Sequence, residues 1–71
     1  MTTFYVVKDY ETPKHAGADG LFQVSTLRRL LDDKEVTNQI DVEKFFSDDD
    51  ELKNYISEVF KIKIEDLEIV E

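Results

Sequence analysis

Nothing in this chain can staple a fold: its 71 residues contain no cysteine and a single histidine, His15. Disulfides and thiolate metal sites are therefore excluded, and one chain cannot build an all-histidine site. Small domains often lean on such staples, because they bury a smaller share of their surface than large ones do. A good core, a second subunit or a partner must supply the missing stability. The chain has the material for a core. Five Phe, three Tyr and many Ile, Val and Leu set it apart from disordered sequences, which lack such residues. The length predicts a single domain over residues 1–71.

Local patterns give the elements. "TFYVVKDY" (3–10) is rich in β-branched and aromatic residues and reads as a strand. Phe4, Val6 and Tyr10 fall on one face and Tyr5 and Val7 on the other, so both faces are apolar over its first half. "ETPKHAGADG" (11–20) holds the only Pro and both Gly and reads as a loop. "LFQVS" (21–25) is a candidate short strand. "STLRRLLDDK" (25–34) reads as a helix: Ser25 or Thr26 can cap it, and Leu27, Leu30 and Leu31 repeat at helical spacing. "EVTNQI" (35–40) is a connector. "DVEKFF" (41–46) predicts one or two helical turns capped by Asp41, with Val42, Phe45 and Phe46 turned inward.

The strongest periodicity lies in 48–61. Leu52, Tyr55, Ile56, Val59 and Phe60 repeat at three and four, as one face of a helix requires. "IKIEDLEIVE" (62–71) alternates, but its phase changes between Ile64 and Leu67. Either a turn lies at Glu65-Asp66 or only the last residues are strand. The expected class is α+β: a small, mostly antiparallel sheet of two or three strands, with two main helices on one face. Its expected core is Phe4, Val6, Leu27, Leu30, Leu31, Phe45, Leu52, Ile56, Val59, Phe60 and Ile69.

Charge divides the chain. Residues 1–31 carry four basic and three acidic side chains, whereas residues 32–71 carry five Lys against fourteen acids. The net charge of −8 thus belongs to the second half. Direct binding to nucleic acid is disfavoured, because phosphates are neutralised by Lys and Arg. A protein partner with a basic surface is favoured, against the plainer reading that acids keep the chain soluble. No basic start followed by an apolar stretch marks a signal peptide, and no run reaches the ~18 apolar residues of a membrane span. A cytoplasmic location is the expectation.

"SDDDEL" (47–52) concentrates the acids. An EF-hand loop beginning at Asp48 would need Gly at its sixth position and Glu at its twelfth; the chain has Lys53 and Val59 there. A looser Mg²⁺ or Ca²⁺ site using Asp48 and Asp50 is a weaker reading, and no metal or other cofactor is expected. Catalytic carboxylates need environments that separate their pKa values, and four adjacent solvated acids have none. His15 has Asp9, Glu11, Asp19 and Ser25 near it in sequence but forms no recognisable triad. "HAGADG" lacks the Lys and the spacing of a phosphate loop. No enzyme is expected. Helix initiation fits well: Ser47-x-x-Asp50 and Asp48-x-x-Glu51 are both variants of a capping box, and acids in a first turn meet the positive end of the dipole.

Helix initiation explains the place of the four acids better than their number. The surplus points to recognition of a basic surface. A helix rises about 1.5 Å per residue, and duplex DNA carries one charge per about 1.7 Å, so a row of carboxylates can present a comparable field. In size and charge alone, the chain resembles inhibitors encoded by phages and mobile elements. The function expected is that of a small non-catalytic interaction protein, an inhibitor that occupies a nucleic-acid-binding surface of its partner. The candidate contacts are Asp32, Asp33, Glu35, Asp41, Glu43, Asp48, Asp49, Asp50 and Glu51, with Tyr5 or Val7 as an apolar anchor. The alternative is a homodimeric domain whose two-faced first strand is buried by a second copy.

Overall fold

The computed structural model describes all residues 1–71. Strand β1, Thr2–Asp9, forms where the β-branched and aromatic run predicts it. It is central in a four-stranded mixed sheet of order β3-β2-β1-β4, with β2 at Gln23–Arg29, β3 at Lys34–Glu35 and β4 at Leu67–Val70. β1 pairs antiparallel with β2 and parallel with β4. Helix α1 is short, Glu11–His15, and α2, Asp49–Phe60, is the one main helix. The expected α+β class holds, with four strands in place of two or three and one main helix in place of two.

The helix predicted at 25–34 is a strand followed by a turn. The expected stripe draws on a strand residue, Leu27, and two turn residues, Leu30 and Leu31, and a β-bulge hides the alternation that would have marked the strand. Val7 sits opposite Thr26 but Lys8 sits opposite Val24, which leaves Ser25 as an extra residue. Val24 and Leu27 therefore both face inward although they are three apart, and a bulged strand imitates a helical stripe. Leu30 and Leu31 complete that imitation but lie in the turn between β2 and β3, where Leu31 is 83% exposed. Asp33 closes the turn at φ 50°, a left-handed conformation that Asp tolerates better than most residues.

Two further expectations are corrected. Residues 41–46 form no helix. Asp41 Oδ1 accepts the N–H of Glu43 at 3.0 Å, making a local turn, and the chain then runs extended into an antiparallel bridge between Phe46 and Phe22. An extended backbone turns only one of two neighbouring residues inward, so Phe46 is buried and Phe45 is exposed. Within 11–20, α1 precedes the loop. Asp9 Oδ1 accepts the N–H groups of Glu11 and Thr12 at 3.0 and 3.2 Å. Pro13 lies near the helix start, where its missing donor costs little, and is buried.

One core joins the layers. Phe4 and Val6 of β1, Val24 and Leu27 of β2 and Leu67 of β4 meet Leu52 and Ile56 of α2, with Phe22, Val36 and Phe46. Phe22, Val24, Val36, Phe46 and Leu67 thus stand where Leu30, Leu31 and Phe45 were expected. Val59, Phe60 and Ile69 are half-buried. The Phe60 ring packs on Phe4 with centroids 5.1 Å apart, which sets the end of α2 over the β1–β4 margin. A 3₁₀ turn at Ile64–Asp66 leads into β4 and accounts for the change of phase there.

Candidate functional site

The acidic run begins α2 as its spacing predicts. Asp48 is the N-cap, and its Oδ1 accepts the Glu51 N–H at 2.9 Å. The Glu51 carboxylate accepts the Ser47 hydroxyl at 2.9 Å, so the reciprocal half of the box is made to Ser47. Asp49 has another task. It accepts Lys8 Nζ at 2.6 Å, and the same ammonium reaches Glu71 at 3.1 Å. The Lys8 side chain is only 8% exposed and lies 4.8 Å from the centroid of the Phe22 ring. Burial works against its charge, yet the bonds to Asp49 and Glu71 outweigh this, and its pKa is raised. Asp50 faces solvent with no ion pair.

Four of the five other candidate acids fall into two groups. Asp32 and Asp33 sit at the β2–β3 turn and are held by arginines: Arg29 grips Asp32 at 2.9 and 3.1 Å, and Arg28 reaches Asp33 at 3.3 Å. The bond from Arg29 draws the Asp32 pKa down, and the same bond raises that of Arg29. Asp41 and Glu43 lie on the segment beside β2. There the Glu43 carbonyl accepts Gln23 Nε2 at 2.9 Å, and the Asp41 N–H donates to the Tyr55 hydroxyl at 2.8 Å. The sequence signalled these acids but not Lys8, whose partners lie 41 and 63 residues away.

Tyr5 and Val7 occupy the sheet face opposite the core. They are 38% and 37% exposed. Tyr5 stands opposite Arg28 on β2 and Val70 on β4, and Arg28 stands opposite Glu35 on β3. Directly opposed residues point to the same side, so Glu35, Arg28, Tyr5 and Val70 form one row across the outer face. Of the candidate contacts, Glu35, Tyr5 and Val7 therefore share a face, while Asp48–Glu51 start the helix on the other side.

The surface carries no pocket, no group of three or more His, Asp or Glu is placed to hold a metal ion, and no helix is long and apolar enough to cross a membrane. No family model, no curated protein and no solved structure matches the chain.

Proposed function

We propose that the protein is a non-catalytic binding protein whose acidic second half meets a basic surface of a protein partner, in the manner of an inhibitor that takes the place of nucleic acid. One observation carries this reading. Of the fourteen acids after residue 31, Asp32, Asp33, Asp49 and Glu71 form ion pairs within the chain. The other ten are exposed and have none. Such a surplus repels itself in the folded state, and it raises the rate of encounter with an oppositely charged surface. Tyr5 and Val7 on the open face supply apolar area of the kind that anchors interfaces.

The test is affinity capture at two salt concentrations, comparing the natural chain with a variant carrying Asp50→Asn, Glu58→Gln, Glu65→Gln and Asp66→Asn. These acids form no ion pair and do not cap α2, so circular dichroism should show an unchanged fold. The expected result is a basic, nucleic-acid-binding partner that is lost with the variant and with salt. Retention of the same partner by both chains at both salts refutes the acidic contact. The exposed pair Tyr5 and Val7 also supports a second reading, a homodimer through the outer face. Sedimentation of a strict monomer at micromolar concentration would remove it.

A further inference from the structure

The geometry points to β4 as the seat of an added strand: we infer that an extended basic segment of the partner pairs with the free edge of this strand. This deepens the reading above and rests on it. β4 ends the sheet order, so one of its sides has no neighbour. The register says which groups point there. The Leu30 N–H donates to the Thr3 carbonyl, so Thr3 and Tyr5 bond toward β2 and Phe4 bonds toward β4. Phe4 lies level with Ile69. In a parallel pair it therefore bonds to the two flanking residues, Glu68 and Val70. The Ile69 N–H and C=O and the Leu67 C=O are left pointing outward, while the Leu67 N–H turns back to Ile64.

Three features fit this edge to a basic strand. First, its protection is slight. "LEIV" contains no Lys, no Pro and no bulge; its short length and the charge of Glu68 are its only guards, and that charge attracts a basic strand. Second, the core is incompletely covered beside it. Ile62, Ile69 and Phe60 are partly buried against the core, and Ile64 is 40% exposed. An apolar side chain on an incoming strand would extend that layer. Third, Glu65, Asp66 and Glu68 are exposed along the approach and the outer side, with no ion pair. A strand alternating basic and apolar residues satisfies both sides at once. A second copy does not, because it would bring another chain of net charge −8 to the same edge.

The test uses two labelled peptides of equal length and charge, one alternating Lys with Val and one alternating Lys with Gly. Binding is read by fluorescence anisotropy, and edge pairing by amide hydrogen exchange. The expected result is that the Lys-Val peptide slows exchange at the Ile69 amide by about tenfold or more, while the Lys-Gly peptide leaves it unchanged. Ile69→Pro, which removes the outward donor, should weaken the Lys-Val peptide by a similar factor. If that variant fails to fold, exchange in the natural chain decides alone. Binding of both peptides without protection of Ile69 overturns the edge and leaves the basic-partner reading standing. No binding of either peptide also overturns the edge, and the capture experiment then judges the broader reading separately. Protection that rises with protein concentration and needs no peptide assigns the edge to a second copy and overturns the inference.

Discussion

The two edges of the sheet are finished in opposite ways. Along β2, residues 34–46 wrap the outer side. Val36 donates to the Leu27 carbonyl at 2.8 Å, Leu27 donates to Thr37 Oγ1 at 2.9 Å, and Phe22 and Phe46 exchange bonds at 3.0 and 2.8 Å. Along β4, nothing is wrapped. The covered edge contributes Phe22, Val24, Val36 and Phe46 to the core, whereas the open edge contributes Leu67 fully and Ile69 only in part. Segment 34–46 has little regular structure, yet it holds one side of the sheet shut. Regularity is thus a poor guide to structural weight in a chain of this size.

The sharpest way to break the contrast is at the aromatic clamp. Phe46→Ala should cost about 3–5 kcal/mol, most of the stability of a small domain, and urea denaturation should show a largely unfolded chain. Ile69→Ala at the open edge should cost no more than about 2 kcal/mol, since its site is only half enclosed. Next comes the backbone seal. Thr37→Val removes the acceptor of the Leu27 N–H and should cost about 1–3 kcal/mol; exchange at the Leu27 amide should rise with it.

Lys8 joins the two regions, and pH tests it. Its folded pKa is raised above 10.5, so its contribution is fully present below the unfolded value and fades as pH climbs through the folded one. Asp49→Asn should cost about 1 kcal/mol at neutral pH, and thermal melts should show a shallower alkaline decline than in the natural chain. The Asp32 carboxyl has the opposite sign. Its pKa is lowered from 3.8, so the Arg29 pair stabilises above that value and is lost on acidification; Asp32→Asn should reduce acid sensitivity slightly. The smallest effect is a gain. Lys61 ends α2 at φ 56°, where glycine carries no Cβ penalty. Lys61→Gly should therefore stabilise by up to about 1 kcal/mol, seen as a small rise in the melting temperature.

Sequence legibility followed the same division. α2 could be read because its period is unbroken, and β1 because β-branched and aromatic residues crowd it; the final strand was legible only as one of two readings of a segment whose phase breaks at Glu65-Asp66. β2 could be read only at its start, within the candidate strand 21–25; beyond it, the bulge at Ser25 breaks the alternation and the leucines at 27, 30 and 31 suggest a helix. β3 is two residues long and has no period at all. The choice between Phe45 and Phe46 depended on whether residues 41–46 were helical or extended, and Asp41 fits both, as a helix cap or as the start of a turn. For the candidate site, the acids and their capping role were visible. What each acid does beyond that was not, because Arg28, Arg29 and Lys8 are assigned to partners by turn and sheet geometry. The open edge was invisible for a related reason: strand order depends on pairings between distant residues, which no local pattern encodes.

The parallel pairing of β1 with β4 also has a consequence in time. Thr2 meets Leu67 and Tyr5 meets Val70, so this ladder cannot close until residues 67–70 have left the ribosome. Loop-closure entropy of the span between the two strands delays it further. The β1–β2 ladder can form well before, with Phe4 still uncovered on its β4 side. During that interval the nascent chain displays a longer and more aromatic strand edge than the finished molecule ever does. Its susceptibility to misassembly is therefore governed by how quickly the last strand docks, more than by the stability of the folded state.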